Sequence, residues 1–199
     1  NNAGIYEKFQ GTFTLITKRI DFIKNGFTGP STKELVKGNW IKSEYGNPAI
    51  IIETPEVLTR TDVSKAIPKD ASALIKSSQM FAYGKLLQKF YIAISSVEFK
   101  QKTEVDLNQA LEGMIQTLQA QGCENVIVKQ EEFSTKDGLK GVKGYGSLTF
   151  NDEKMVYQTL LFSQEGGLQQ IMVAFKEGDE NGQKIAERML QSVELKKAP

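Results

Sequence analysis

The sequence predicts an α+β protein built around an antiparallel sheet. From about Phe90 to the end, segments of alternating apolar residues follow one another, and this period is typical of β-strands. One capped helix interrupts the strands, and a second capped helix closes the chain. Asn151-Asp152 and Gly166-Gly167 have the residue types of short hairpin turns, so the strands that they join are expected to be antiparallel neighbours.

The two helices are predicted by their caps and their apolar stripes. Asp106 followed by Gln109 has the spacing of a capping box, and Gly122 suits the position just beyond a helix end. Asp179 is the expected N-cap of the last helix. The residues that we expect to face the core are Leu107, Leu111, Met114, Ile115 and Leu118 in the first helix and Ile185, Ala186, Met189 and Leu190 in the last, with Val193 and Leu195 completing the packing.

Four strands are predicted between the helices: Val126–Phe133, Gly141–Phe150, Lys154–Phe162 and Leu168–Phe175. The second strand carries Gly141, Gly144 and Gly146 in the order G-x-x-G-x-G. A phosphate loop needs a following helix whose amides point at the ligand, and the pattern predicts no helix there. Alternation places Gly144 and Gly146 on one face of the strand, and we interpret them as positions where a helix lies close to the sheet.

Patterns upstream are weaker. The predicted elements are strands at Gly11–Thr17, Pro48–Thr54, Gln79–Lys85 and Lys89–Lys100, a turn at Asn25-Gly26, and a helical turn or two at Ala71–Ile75. Lys33–Lys37 is too short to assign. In the strand that begins at Lys89, the apolar residues change face after Ile94, and this phase slip predicts a β-bulge at Ser95-Ser96.

Composition and charge restrict the class of protein. The 199 residues are 40% hydrophobic and carry a formal net charge of +1. The chain can therefore bury a core, and it is not basic enough to predict nucleic-acid binding. Residues 1–100 hold 14 Lys/Arg and 9 Asp/Glu, whereas residues 101–199 hold 11 and 15. We interpret this asymmetry as two halves of one sheet domain that compensate each other; a dipolar docking surface is the alternative.

No arrangement of residues predicts catalysis, a cofactor or a metal site. The sequence contains no histidine, so Cys123 has no imidazole to activate it, and we expect it to be a small buried residue. Glu131 and Glu132 are neighbours in a strand and point to opposite faces, which excludes a carboxylate dyad. Asp152-Glu153 lacks the alternating oxygen ligands of a calcium loop. Neither G-x-S-x-G nor S-x-x-K occurs.

No segment of the sequence is long enough to predict a transmembrane span, since the longest aliphatic run is Ala49–Ile52. The chain begins at Asn1, and Asn1–Gly4 is similar to a polar tether. We therefore expect a targeting segment or membrane anchor upstream, and a periplasmic, cell-envelope or secreted location.

Residues 104–195 resemble the PsbP-like superfamily. The features that carry the resemblance are the helix Asp106–Gln121 leading into Asn125–Val128, the segment Gly138-Leu139-Lys140-Gly141, the hairpin of Lys154–Phe162 and Leu168–Phe175, the closing helix through Gln191-Ser192-Val193, and the upstream strand Ile50–Pro55. The family includes an extrinsic subunit of the photosynthetic oxygen-evolving complex, an import factor that binds the GTPase Ran, and bacterial envelope proteins.

The resemblance covers roughly residues 45–195 and implies an antiparallel sheet of six or seven strands sandwiched by helices. Residues 45–199 are therefore expected to form the domain, and residues 1–44 an N-terminal extension or tether, whether or not it packs on the domain. Members of the family bind different partners, so the resemblance implies no site residue in this chain.

The leading functional hypothesis is a non-enzymatic protein, envelope-associated or secreted, that binds an unknown protein partner. The alternative is a carrier of an apolar small molecule, with a pocket between the sheet and the helices. Trp40 and Tyr45 are the candidate contacts for either partner or ligand. An enzyme that uses only carboxylates, Lys and Tyr ranks third. The first 40 residues are rich in aromatic and basic residues, and they are the expected docking surface.

Overall fold

The computed structural model describes residues 29–61, 73–85, 88–101, 104–164 and 166–196. The strand predicted at Gly11–Thr17 and the turn predicted at Asn25-Gly26 lie outside these ranges. The elements in chain order are α1 (Thr32–Lys37), β1 (Ile41–Tyr45), β2 (Ile50–Thr54), β3 (Thr59–Thr61), β4 (Ile75–Lys85), β5 (Phe90–Phe99), α2 (Leu107–Ala120), β6 (Glu124–Ser134), β7 (Lys140–Phe150), β8 (Glu153–Gln164), β9 (Gly167–Lys176), α3 (Glu180–Gln191) and β10 (Glu194–Leu195).

Seven strands form one antiparallel sheet, which confirms the predicted fold class. Their order is β3-β4-β5-β9-β8-β7-β6, so consecutive hairpins build one half of the sheet and β9 returns to pair with β5. Between β7 and β8, Asn151 and Asp152 adopt φ angles of 48° and 62°. This left-handed pair is what a two-residue hairpin loop requires.

β9 is covered on both faces. Every residue from Gly167 to Phe175 is buried, and successive side chains point to opposite faces of a strand. Leu168 and Met172 pack in one core cluster with α2, whereas Ile171 and Val173 pack in a second cluster with α1 and α3. The helices therefore sandwich the sheet, as the resemblance implies.

α2 begins and ends where the sequence predicts. The Asp106 carboxylate accepts hydrogen bonds from the amides of Asn108 and Gln109, at 2.9 and 3.2 Å. Gly122 follows the helix at a φ angle of 89°, which a residue with a Cβ rarely adopts. In the predicted stripe, three residues are buried and two are partly buried: Leu111, Met114 and Leu118, and Leu107 and Ile115.

Gly144 on β7 allows α2 to lie against the sheet. A Cβ at this position would lie 2.8 Å from Leu111 Cδ1 and 2.9 Å from Thr159 Cγ2, closer than carbon atoms pack. The interpretation of Gly144 is therefore confirmed. The interpretation of Gly146 is wrong, because it is a strand and not a helix that lies close to it. A Cβ at Gly146 would lie 1.9 Å from the carbonyl oxygen of Ile127 on β6.

α3 is joined to α1 at the residue that caps it. Asp179 Oδ1 accepts from the amides of Asn181 and Gly182, which confirms the predicted N-cap. Asp179 Oδ2 accepts from Thr32 Oγ1 at 2.8 Å, which fixes the start of α1 beside the start of α3. The predicted face of α3 and the residue beyond it are all buried: Ile185, Ala186, Met189, Leu190 and Val193.

The segment from Ser31 to Tyr45 packs on the α3 side of the sheet. Lys33–Lys37, unassigned from sequence, lies in α1, which Ser31 caps through a capping box with Glu34 and which buries Leu35. β1 then pairs with β2, and β10 pairs with the other edge of β2 to complete a small antiparallel sheet.

Two further sequence predictions are wrong. No bulge occurs at Ser95-Ser96, because β5 pairs with β9 without a register shift from Phe90 to Glu98. Plain alternation places Ile94 on the α3 side and Val97 on the α2 side, and both sides are buried. In the described part of Ala71–Ile75, the backbone forms a turn and then enters β4, so no helix is present there.

Leu111→Asp and Ile185→Asp should each lower the free energy of unfolding by about 3 kcal/mol or more, because each leaves an unpaired charge in a core cluster. The measurement is equilibrium urea unfolding. Gln116→Asp, on the exposed face of α2, is the matched control and should change stability by less than about 1 kcal/mol. A core variant as stable as this control would contradict the face assignment.

Candidate functional site

An open cleft of about 460 Å³ lies where α1 begins, and we call it the α1 cleft. Its walls are the segment before α1, the turn between β4 and β5, and the turn between β9 and α3. The lining residues are Gly29, Pro30, Ser31, Thr32, Tyr83, Gly84, Gln88, Lys89, Phe90, Lys176, Glu177, Gly178 and Asp179. Three separate parts of the chain therefore meet at one place on the surface.

Two lysines of the α1 cleft share one carboxylate. The amide of Lys176 donates to the carbonyl of Lys89 at 2.9 Å, which places the two residues side by side. Both ammonium groups bind Glu153, through a short hydrogen bond from Lys89 and an ion pair of 3.5 Å from Lys176. The hydrogen bond from Lys89, followed by the charge of Lys176, lowers the pKa of the Glu153 carboxyl. Glu153 is therefore a stable anion and a poor general acid.

The aromatic side chains of the α1 cleft are Tyr83 and Phe90. Their rings meet edge to face, with centroids 6.3 Å apart. Burial and, to a lesser extent, the charge of Glu56 raise the pKa of the Tyr83 phenol. The phenol is consequently protonated near neutral pH and does not act as a base there.

Trp40 lies between α1 and β1, where it packs against α3. The Arg188 guanidinium lies 4.0 Å from the centroid of the Trp40 ring, a cation–π arrangement. Glu53 on β2 holds that guanidinium at 2.9 Å. The Trp40 indole N–H is buried and has no acceptor among the described residues.

Tyr45 is a core residue with 5% of its surface exposed. Its ring meets Phe81 edge to face at 5.1 Å, and its hydroxyl accepts from the Leu58 amide at 3.4 Å. The structure does not bring Tyr45 to the α1 cleft. Partner or ligand contact through Trp40 and Tyr45 stays a prediction.

Neither Cys123 nor Glu131 lies in a catalytic arrangement. Cys123 is buried, and burial raises the pKa of its thiol to about 11, so it is a protonated core residue as expected. Glu131 binds Lys143 at 3.0 Å rather than a second carboxylate. Within the described ranges, no group of three His, Cys, Asp or Glu side chains has the arrangement of a metal site.

A second open groove, of about 490 Å³, runs between the start of α3 and strands β7 and β8, and its lining includes Tyr145, Val156 and Glu131. At Gly144, α2 touches the sheet and leaves no room for a ligand at that point.

No described helix has both the length and the apolarity of a membrane span.

The α1 cleft was not predicted from the sequence. Lys89 and Lys176 are far apart in the chain, as are Thr32 and Asp179, and no local motif links either pair. The pairing of β5 with β9 brings the lysines together, and the packing of α1 on α3 brings Thr32 to Asp179. The site could be predicted from the sequence only if the residue pairing between β5 and β9 were known.

The fold is similar to that of the cyanobacterial PsbP protein from Synechocystis sp. PCC 6803. The two structures superpose with a TM-score of 0.54 over 88% of this chain and 99% of that protein, at 11% sequence identity. This likeness confirms a PsbP-like fold, and at so low an identity it shows the fold alone.

Two further structures are less similar. They are a protein of unknown function from Pseudomonas aeruginosa, PA94, described as a putative regulator, and LpqN of Mycobacterium tuberculosis, described as involved in cell envelope biogenesis. Their TM-scores are 0.43 and 0.36, each at 11% identity, and the matches cover 72% and 84% of this chain and 99% of each of those proteins. Scores this low do not establish a shared fold. No sequence family and no curated protein matches the chain.

Stability above pH 9 should depend on Cys123. The thiol has an ordinary pKa of 9.0 and a pKa of about 11 in the folded protein. Between these pH values the unfolded chain loses the proton while the folded protein keeps it, so the free energy of unfolding falls as pH rises. In Cys123→Ala this contribution is absent.

The stability difference between wild type and Cys123→Ala should therefore move by about 2 kcal/mol in favour of the variant from pH 8.5 to pH 11. Urea unfolding at several pH values measures it. A difference that stays constant with pH would show that the thiol ionises as easily in the folded protein as in the unfolded chain.

Proposed function

We propose that this chain is a non-enzymatic protein of the cell envelope, or a secreted one, that binds a protein partner around the α1 cleft. The observation that carries the proposal is the α1 cleft itself: an open, partly aromatic surface with exposed charges, where the described residues form no metal-ligand group. Trp40 lies at the far end of α1 from the cleft, and we propose it as a second contact.

The chemistry of the α1 cleft favours a protein over a polyanion or an apolar molecule. Lys89 and Lys176 are offset by Glu153 and Glu177, so the cleft has no excess of positive charge that would attract nucleic acid. The ring of Tyr83 offers apolar area next to these charges. A mixture of aromatic surface and exposed ion pairs is typical of non-obligate protein interfaces.

We propose residues 1–28 as a docking arm and residues 29–199 as the folded domain. Within the predicted extension, residues 1–44, α1 and β1 pack on α3 and β2, and Gly29, the first described residue, lines the α1 cleft. Residues 1–28 include five phenylalanine and tyrosine side chains together with Lys18, Arg19 and Lys24. A partner held by this arm would therefore also meet the cleft.

Deleting residues 1–28 should leave a cooperatively folded domain and weaken partner binding. A photo-crosslinking amino acid at Glu177, on the rim of the α1 cleft, reports binding in cells that express the full-length protein from its own gene. The same amino acid at Gln119, exposed on α2 across the sheet, is the matched control. We expect one discrete protein adduct from position 177 in the envelope or secreted fraction, little from position 119, and at least a fivefold loss of the adduct on deletion.

Three results would contradict the proposal. Equal adducts from both positions would remove the α1 cleft from the interface. Loss of cooperative thermal unfolding on deletion would show that residues 1–28 belong to the core. A small apolar molecule that copurifies with the protein in native mass spectrometry, without any protein adduct, would favour a carrier.

A further inference from the structure

The strand β6 is an exposed edge of the main sheet. It is 11 residues long and mostly exposed, and in the described part of the chain it pairs with β7 only. The opposite edge, β3, has three residues. Ile127 on β6 is 57% exposed, which is unusual for a large apolar residue here. An edge of this length is a template for pairing with another strand.

The outward-facing backbone groups of β6 follow from its register. The Thr135 amide donates to the Leu139 carbonyl across the β6–β7 turn at 2.9 Å. Hydrogen-bonded positions alternate along an antiparallel pair. Odd-numbered residues of this part of β6 therefore bond to β7, and Val128, Gln130 and Glu132 direct their amides and carbonyls outward.

We propose that β6 binds β6 of a second copy of this chain, antiparallel, about a two-fold axis at Gln130. In this register the outward-facing residues meet one another: Gln130 pairs with its own copy, and Val128 pairs with Glu132 of the other chain. Lys129 then lies opposite Glu131, and Ile127 lies opposite Phe133. Gln130 lies on the axis and pairs once, and each of the other contacts occurs twice, as a two-fold interface requires.

The charges on β6 favour the two-fold axis at Gln130 over axes at neighbouring residues. A two-fold axis at Lys129, Glu131 or Glu132 would place like charges directly opposite each other, and such pairs are destabilising. An axis at Val128 would set Lys129 against Ile127. Only the axis at Gln130 sets a cation opposite an anion on both sides.

The side chains needed for this contact are positioned and accessible. Ile127, Lys129, Glu131 and Phe133 alternate along one face of β6, and they fall at the non-hydrogen-bonded positions of the proposed pair, where side chains come closest. None of the ion pairs among the described residues includes Lys129, so its ammonium is available to the carboxylate of a second copy. Glu131 is half exposed and keeps its contact with Lys143.

A bulge limits how far β6 can pair. Asn125 has a φ angle of 50°, and the register with β7 shifts between Glu124 and Ile127. The Ile127 carbonyl is turned over Gly146, where the Tyr157 hydroxyl donates to it at 2.9 Å. The bulge ends the regular edge at Ile127, so pairing is confined to a short self-complementary stretch and does not extend into open aggregation.

Charge variants test the register. Lys129→Glu makes the charged edge acidic, and Glu131→Lys makes it basic, so each variant alone faces its own charge across the axis. We expect sedimentation equilibrium to show a dimer for wild type, with the dissociation constant raised at least about tenfold in each variant. Mixing the two variants should restore association as a one-to-one heterodimer, because every acidic position then faces a basic one.

Backbone variants test the edge itself. Gln130→Pro removes an outward amide that β7 does not use, so the monomer should keep its melting temperature within a few degrees while the dimer is lost. Gln130→Ala is the matched control and should dimerise like wild type. A wild-type protein that stays monomeric up to millimolar concentration, a dimer that survives Gln130→Pro, or charge variants that fail to form the heterodimer would each overturn the proposal.

Discussion

The structure depends on the burial of β9 from both sides. All nine residues from Gly167 to Phe175 are buried, so the strand is stable only when an apolar layer covers each face of the sheet. α2 supplies one layer, and α1, α3 and the small sheet supply the other. Gly144 serves this burial, because a side chain at this position of β7 would keep α2 away from the sheet.

This arrangement decides which described polar groups are accessible. The centre of the sheet is occupied on both faces by packing, and the described polar groups that remain accessible lie at turns, helix starts and edges. The α1 cleft forms where two turns meet the start of α1, with Lys89 and Lys176 held together by backbone pairing. The edge of β6 is another accessible feature. Both are accessible surfaces at the periphery of the sheet.

Local signals were enough to predict α2, α3 and the hairpins β7–β8 and β8–β9. Contacts between residues that are distant in the sequence could not be predicted. The starts of α2 and α3 could be predicted because each cap, Asp106 or Asp179, is adjacent in sequence to the apolar residues of its helix. The bulge in β5 was predicted wrongly because this strand is buried on both faces and has no polar side. Apolar residues on opposite faces, such as Ile94 and Val97, therefore look in the sequence like an interrupted alternation. α1 is too short for periodicity, and its stability comes from Leu35 and from the bond between Thr32 and Asp179. The α1 cleft depends on the pairing of β5 with β9, which no local pattern specifies.

The most direct test of this account is native-state hydrogen exchange. If both layers form one cooperative unit around β9, the amides of β9 should exchange only through global unfolding, with opening free energies equal to the unfolding free energy from urea. Amides in the core-facing turns of α2 and α3 should approach the same value. Exchange of β9 through a smaller opening, with either helix remaining protected, would show that the two layers are separable and would contradict the account.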